Sequence, residues 1–237
     1  MENRENKPVT ENKWKPTDQR YVCFIDIMGF KNMVATTKHA DIYNKMKKVA
    51  DFQEFNSNIA WTGNPDLVKT TTFSDSIIIY SHDDSSDSLE SIVWTVSGLM
   101  HDLLSEGIPF KGAMSHGTMT CDTKNSIFFG QPLIDSYILQ EELYFYGIVV
   151  HGSAEKEMKN LEDVYTVETY CCPFKKGKAD HLTIYPIHLR CKEDKDINLE
   201  LLKSVNKMKY YTSGHLRVYI DSTIDYLKVI DPNLADN

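Results

Sequence analysis

The most restrictive feature of the sequence is an almost uninterrupted apolar run near its beginning, from Tyr21 to Phe30. Such a run, ending in a Gly-Phe step, is typical of a β-strand that is covered on both faces. It is too short to span a membrane, and it contains one charged residue, Asp26. A carboxylate inside a buried strand is costly unless it is paired or bound to a metal ion. The run therefore predicts a buried strand that carries a functional acidic residue.

Two later segments predict amphipathic helices. Residues 41–55 place apolar side chains on one face, with lysines between them. Residues 89–104 keep apolar side chains at helical spacing throughout, which is the strongest helical pattern in the chain. The capping-box pattern Asp87–Glu90 predicts where this second helix begins.

Between these helices, two β-rich segments predict a hairpin. They are Leu67–Phe73 and Ser76–Tyr80, with Ser74 and Asp75 at the turn. The next predicted elements are strands at 109–119, 126–129 and 147–151 and a helix at 132–143. The resulting order β-α-β-β-α-β is the ferredoxin-like pattern of an α+β fold.

The two ends of the chain have less regular patterns. Residues 1–18 are polar, which predicts a flexible N-terminal tail before a single domain at 19–237. The segments expected beyond residue 155 are strands near 164–169 and 181–189, a basic loop with Lys175, Lys176 and Lys178, a packed surface strand at 207–211 and a helix at 213–230. No linker is long enough to separate two domains.

Composition disfavours several kinds of partner. The 26 Lys and Arg against 34 Asp and Glu give a net charge of −8, which disfavours non-specific binding of nucleic acid. The polar N-terminus lacks the apolar centre of a signal peptide. The five cysteines show no framework spacing, and the adjacent Cys171 and Cys172 do not match common zinc motifs. We therefore expect a cytoplasmic protein with no membrane or nucleic-acid partner.

Asp26 and Asp75 are the candidate metal ligands. In a β-α-β-β-α-β fold the first strand lies beside the hairpin, so both carboxylates are expected at one end of the sheet. Two carboxylates and a backbone carbonyl suit Mg²⁺ or Mn²⁺, which prefer oxygen ligands. The alternative interpretation is a pair of exposed turn aspartates that bind nothing.

Four segments resemble, in order, the catalytic domain of the class III nucleotide cyclases. Residues 24–30, FIDIMGF, resemble the first-strand motif F-x-D-I-x-G-F. Residues 69–75 resemble the second motif, in which a lysine precedes the second metal-binding aspartate by six residues. Residues 111–117 resemble R-x-G-I-x-x-G, and Phe129–Gly130 resembles the element before the next helix. The resemblance extends over Tyr21–Leu143 and implies the α+β catalytic fold of these enzymes.

This resemblance implies a two-metal active site. Asp26 and Asp75 would be catalytic residues that hold two divalent ions, Mn²⁺ or Mg²⁺, with the backbone of Ile27 as a further ligand. The ions would activate the ribose 3′-hydroxyl and offset the charge on the leaving pyrophosphate. The implied substrate-binding residues are Met28, Gly29 and Phe30, through their backbone amides, and Lys69 and Lys111. A head-to-tail homodimer with active sites shared between subunits is also implied.

Three positions depart from the pattern of the purine cyclases. Ile127 stands where an aspartate would read the purine together with Lys69. Ile134 and Ile138 stand where an asparagine and an arginine would steady the transition state. The residues that could supply the missing positive charge are Lys111, His116, Lys207 and Lys209. We therefore expect activity to depend steeply on divalent metal.

The pattern of residues 129–141, without an input domain, resembles the bacterial pyrimidine cyclases of the Pycsar antiphage defence systems. This resemblance implies that UTP or CTP is converted to cyclic UMP or cyclic CMP and pyrophosphate, and that a separate effector reads the product. It does not discriminate between the two pyrimidines. One alternative is a cyclase-like nucleotide-binding or regulatory module without catalysis. Another is a different palm-like two-metal enzyme, which the lack of a Gly-Gly-Asp-Glu-Phe-type turn disfavours.

Overall fold

The computed structural model describes residues 14–58, 64–161, 166–186 and 195–235. Its strands are β1 (Thr17–Ile27), β2 (Val68–Phe73), β3 (Ser76–Ser81), β4 (Phe110–Asp122), β5 (Ile127–Gly130), β6 (Ile148–Val150), β7 (Val167–Phe174) and β8 (Gly177–Ile184). Its α-helices are α1 (Phe30–Thr36), α2 (His39–Asn58), α3 (Ser86–Ser105), α4 (Gln131–Glu141), α5 (Gly152–Met158), α6 (Lys195–Lys207) and α7 (Leu216–Ile230). Short 3₁₀ turns lie at Pro65–Leu67, Lys159–Leu161, Met208–Tyr211 and Pro232–Leu234.

The strands form one mixed sheet with β1 near its middle. The strand order is β2-β3-β1-β4-β6-β8-β7, and β5 pairs with the end of β4. β1 is antiparallel to both β3 and β4, whereas β6 is parallel to β4. The predicted β-α-β-β-α-β core is confirmed, since the first strand does lie beside the predicted hairpin.

The two faces of the central strands are covered differently. Cys23, Ile25, Ile77 and Ile79 are fully buried on the face that packs against α3. The apolar periodicity of α3 is thereby explained, because its buried stripe and these β-branched side chains form one core. The opposite face is covered by α4, which packs on β1 and β4. Asp26 lies on this second face, since side chains alternate along a strand.

The C-terminal part extends the same sheet. β7 and β8 form a hairpin with its turn at Lys175 and Lys176, so the predicted basic loop is a tight turn. Three helices were not predicted, namely α1, α5 and α6, and the predicted end of β8 beyond residue 186 lies outside the described residues. The predicted surface strand at 207–211 is wrong: Met208–Tyr211 is a 3₁₀ turn, in which Tyr211 is 93% exposed.

The N-terminal boundary differs slightly from the expected one. β1 begins at Thr17, and Trp14 and Pro16 already contact the sheet, whereas residues 1–13 lie outside the described residues. The tail and the single-domain boundary therefore remain predictions. Among the described helices, none is long and apolar enough to cross a membrane.

The start of α3 corrects a prediction. Its N-cap is Ser85, whose hydroxyl accepts a hydrogen bond from the Ser88 amide, and Asp87 lies inside the first turn. Ser85 also donates a hydrogen bond to the Asp83 carboxylate, at 2.6 Å. The capping box at Asp87–Glu90 is therefore wrong by two residues, because the contact with Asp83 favours the earlier serine.

We expect Ser85→Ala to lower the free energy of unfolding by about 1 kcal/mol, because the first turn of α3 loses its cap. Asp87→Ala, the control, removes only an exposed first-turn carboxylate and should cost about 0.5 kcal/mol or less. Urea denaturation measures both. A larger loss for the aspartate variant would contradict Ser85 as the N-cap.

Candidate active site

The structure brings Asp26 and Asp75 together at one end of the sheet. Asp26 is the penultimate residue of β1 and lies opposite Ser76, the residue that follows Asp75. The amide of Ile27 donates a hydrogen bond of 2.8 Å to the Asp75 carbonyl, which anchors the hairpin turn to the end of β1. The turn itself is tight, since Ser74 adopts a φ of 59°. Strand pairing thus holds two carboxylate-bearing residues side by side.

The electrostatics of this pair suit a bound cation. Burial and the nearby charge of Asp75 raise the pKa of Asp26 to about 6, although Lys111 opposes the shift. Two carboxylates that repel each other provide the hard oxygen ligands that Mg²⁺ and Mn²⁺ prefer, so these residues fit such ions. Within the described ranges, no cluster of three or more His, Cys, Asp or Glu is arranged as a metal site. Further ligands would therefore be backbone, substrate or water oxygens.

Lys111 lies beside the aspartates and has an acidic partner. It faces Asp26 across the β1–β4 pair and is 5% exposed. Its ammonium donates a hydrogen bond of 3.2 Å to Glu141 Oε1 at the end of α4. Partial burial opposes the ionisation of Glu141, but this bond and Lys175 nevertheless leave its pKa below the ordinary value. The predicted substrate-binding lysine is thus held within reach of the site by an ion pair.

The sequence analysis did not assign Glu141 or Lys175 to the candidate active site. Lys175 Nζ lies 3.9 Å from Glu141 Oε2, so the β7–β8 turn brings a second lysine to the same carboxylate. The amide of Lys175 also donates to the Glu142 carbonyl, which fixes the turn against α4. The basic composition of residues 175–178 was the available signal, but only the fold shows that this turn approaches the aspartates.

The loop after β1 contains the three residues that the sequence predicts to bind phosphate through their backbone amides. Gly29 adopts a φ of 76° and is the N-cap of α1, a conformation that glycine permits. The amide of Met28, however, donates to the Pro109 carbonyl at 2.9 Å. The Met28 amide is therefore already paired within the fold, and phosphate binding by Met28, Gly29 and Phe30 remains a prediction.

Lys69 is not brought to the aspartates. It lies opposite Tyr80, which in turn lies opposite Val22, four residues before Asp26 on β1. At standard strand rise and spacing, the Cα atoms of Lys69 and Asp26 are about 17 Å apart. The Lys69 ammonium points still further away, over the ring of Trp14 beyond the start of β1, at 4.2 Å from the ring centroid. Within one chain, Lys69 and Asp26 belong to opposite ends of the sheet.

Of the other candidate cations, His116 lies away from the aspartates, whereas Lys209 has an acidic partner of its own. His116 lies opposite Tyr21, five positions along β1 from Asp26, and its Nε2 is 3.6 Å from the Asp84 carboxylate. Lys209 is paired with Asp221 at 2.8 Å.

The three isoleucines that depart from the cyclase pattern are exposed. Ile127, Ile134 and Ile138 are 47%, 51% and 58% exposed. Ile134 and Ile138 belong to an apolar surface, defined here as Phe73, Ile134, Tyr137 and Ile138. Ile127 lies apart from it on β5, which pairs with the end of β4 that is distant from Asp26. This surface lies on the α4 side of the sheet, the side that carries Asp26: Phe73 pairs with Ser76, and Tyr137 contacts Phe24. The active-site face is therefore flanked by uncovered apolar side chains.

Comparison with solved structures shows which fold this is. The catalytic core of a rhodopsin-guanylyl cyclase with converted specificity, in complex with ATPαS, matches with a TM-score of 0.57 at 14% identity, over 73% of this chain and 97% of that one. The guanylate cyclase domain of RhGC from Catenaria anguillulae, in complex with GTP, gives 0.54 at 13% identity, over 71% and 97%. A bacterial light-regulated adenylyl cyclase gives 0.50 at 9% identity, over 80% and 100%.

These similarities establish the fold: the chain has the mixed α+β fold of the class III adenylyl and guanylyl cyclase catalytic domains. No protein-family model matches the sequence, and no curated protein matches it. The expected fold class is therefore confirmed, while the roles of individual residues remain proposals.

The raised pKa of Asp26 predicts a pH-dependent stability. Because the folded pKa of about 6 exceeds the ordinary 3.8, ionised Asp26 destabilises the fold, and this cost grows as pH rises through that window. Asp26→Asn should therefore raise the free energy of unfolding by about 1 kcal/mol at pH 7.5, a value discounted for solvent screening, and by almost nothing near pH 4. Urea denaturation at both pH values measures this difference.

The control is Asp225→Asn, at an exposed position of α7, which should show no such pH-dependent gain. Equal stability of Asp26→Asn and wild type at pH 7.5, without added metal, would show that Asp26 carries no electrostatic strain.

Proposed function

We propose that this chain is a metal-dependent pyrimidine nucleotide cyclase. It would convert UTP or CTP to the 3′,5′-cyclic monophosphate and pyrophosphate. The observation that carries the proposal is the position of Asp26 beside Asp75 at the end of the central strands of a class III cyclase fold. A bound cation would offset the repulsion between these carboxylates, and the interpretation as exposed turn aspartates offers no such compensation.

Asp26 and Asp75, with the backbone of Ile27, would hold Mg²⁺ or Mn²⁺. When bound, the ions would lower the pKa of the ribose 3′-hydroxyl and neutralise the charge of the triphosphate. The two carboxylates would set the position of the reacting groups, and positioning contributes much of the rate in phosphoryl transfer. An acidic chain with a net charge of −8 needs such a local source of positive charge.

The reaction is an internal displacement at the α-phosphorus. The 3′-hydroxyl loses its proton to solvent, its oxygen bonds to the α-phosphorus, and the bond from that phosphorus to the bridging oxygen breaks to release pyrophosphate. Lys111 would donate to phosphate oxygens by exchanging Glu141 for substrate, and Lys175 would offer a second ammonium at the same carboxylate. These lysines would replace part of the charge missing at Ile134 and Ile138.

The absence of a purine-reading aspartate at position 127 supports a pyrimidine substrate. Ile127 is apolar and 47% exposed, so it cannot accept a hydrogen bond from a purine amino group. The resemblance to pyrimidine cyclases of antiphage defence adds the proposed biology: a cytoplasmic enzyme whose cyclic product is read by a separate effector. The second candidate function is a non-catalytic nucleotide-binding module, which the apolar Ile134 and Ile138 favour.

The proposed active site requires a second copy of the chain. Lys69 and Asp26 lie at opposite ends of the sheet, so a head-to-tail dimer would bring the Lys69 end of one subunit to the Asp26 end of its partner. The apolar surface defined above, which includes Ile134 and Ile138, flanks the aspartates and would be buried in that dimer. The resulting homodimer has two shared sites.

Purified protein with each of the four NTPs and Mn²⁺ should form a cyclic pyrimidine nucleotide and pyrophosphate, both detected by chromatography. Asp26→Ala and Asp75→Ala should each reduce turnover at least about 1,000-fold, because each removes a metal ligand from a site that works through bound ions. The control Asp225→Ala should retain wild-type turnover. Absence of any cyclic product, with NTP binding intact, would favour the non-catalytic module, and an active Asp26→Ala would refute the site.

Shared sites predict complementation between inactive variants. Asp26→Ala and Lys69→Ala, each inactive or weakened alone, should regain about a quarter of wild-type turnover after mixing, since half of the dimers would contain one intact site of two. Mixing Asp26→Ala with Asp75→Ala should restore nothing, because those residues act from the same chain. Equal results for both mixtures, or a monomer by light scattering, would contradict the shared site.

A further inference from the structure

At the end of the sheet opposite the aspartates, a cavity of about 280 Å³ lies beside Lys69. Its walls include Trp14 from the segment before β1, and Asp122 and Asn125 from the turn between β4 and β5. That volume is at the lower end of the range of small-molecule sites. The cavity therefore combines an aromatic wall with groups able to hydrogen-bond a flat heterocycle.

Trp14 is held firmly in this wall. Its indole N–H donates to the Asp66 carbonyl at 3.0 Å, and its ring meets the edges of Tyr80 and His82, at centroid distances of 5.7 Å and 4.9 Å. The guanidinium of Arg20, a fully buried side chain, lies 4.8 Å from the same ring. The indole is thus a fixed platform.

Arg20 also ties this segment to the sheet. Its guanidinium donates to the backbone carbonyls of Ser81, His82 and Lys15. Because Lys15 directly follows Trp14, these bonds hold the backbone beside the platform.

The Lys69 ammonium lies over the Trp14 ring, and its N–H groups remain available as hydrogen-bond donors. It lies 4.2 Å from the ring centroid, a cation–π contact that fixes a lysine without using its N–H groups as hydrogen-bond donors. In the described part of the chain, Lys69 makes no hydrogen bond or ion pair. The neighbouring Cys121 is a neutral thiol, since burial raises its pKa to about 11, so it does not act as a counter-ion. Lys69 is therefore available to donate into the cavity.

The turn between β4 and β5, which also lines the cavity, offers complementary groups. Asp122 accepts hydrogen bonds from the amide of Asn125 and from its side-chain nitrogen, at 3.1 Å and 2.7 Å. These bonds hold the pKa of Asp122 below its ordinary value, so an ionised acceptor faces the cavity that Lys69 adjoins. A donor and an acceptor at the same cavity match a ring that bears a carbonyl oxygen and an N–H group.

We propose that Trp14 is a positioning residue that presents Lys69 to a carbonyl oxygen of the nucleobase at this cavity. The inference rests on the proposed cyclase function and adds a source of selectivity: uracil, cytosine and guanine bear such a carbonyl, and adenine does not. The segment ahead of β1 is then part of the base-recognition site.

The test compares kcat/KM for UTP or CTP, whichever is used, with that for ATP. Trp14→Leu removes the platform and should reduce this ratio about tenfold, mainly through KM for the pyrimidine nucleotide. Trp14→Phe keeps an aromatic face and should retain most of the ratio. Lys15→Met, which removes an exposed neighbouring charge, is the control and should leave it unchanged. An unaltered ratio in a folded Trp14→Leu enzyme would overturn the inference.

Tryptophan fluorescence separates failure of this inference from failure of the proposed function. UMP or CMP should quench the wild-type emission saturably, and the quench should disappear in Trp14→Phe while persisting in Asp26→Asn. A quench that survives in Trp14→Phe, or no quench in an enzyme that forms cyclic product, would refute the role of Trp14. A Trp14-dependent quench without any cyclic product would refute the cyclase and leave the base site standing.

Discussion

The structure depends on one electrostatic constraint: two aspartates are held side by side at the end of the central strands. The antiparallel pairing of β1 with β3, closed by the bond from the Ile27 amide to the Asp75 carbonyl, prevents them from moving apart. Burial and mutual repulsion raise the pKa of Asp26, so the free fold bears a cost that a bound cation would remove. Lys111, held by Glu141, offsets part of this cost.

This constraint separates the sheet into two functional ends. Carboxylates, Lys111 and the β7–β8 turn gather at one end, while Lys69, Trp14 and a cavity lie at the other. The backbone positions of Lys69 and Asp26 are about 17 Å apart within one chain. Apolar side chains along α4 supply the surface on which a second copy would join them. The proposed shared sites would follow from this separation of Lys69 and Asp26.

Local patterns predicted the central strand, the β2–β3 hairpin and α3, because alternation and helical spacing report burial directly. They misplaced the α3 cap, since Asp83 lies outside the capping-box pattern and favours Ser85. They missed α1, α5 and α6 and took the Met208–Tyr211 turn for a strand. They also gave no sign that the Met28 amide bonds Pro109, a partner 81 residues away.

The sequence alone determined that two carboxylates would interrupt apolar β-segments. The predicted order of strands and helices then placed both carboxylates at one end of the sheet. Tertiary structure decided what surrounds them. The approach of Lys175 to Glu141 depends on how β7 and β8 fold back against α4. The contact of Trp14 with Lys69 depends on a segment that lies against the start of β2. Neither has a local signal, because periodicity records which face a residue occupies and not which distant residue faces it.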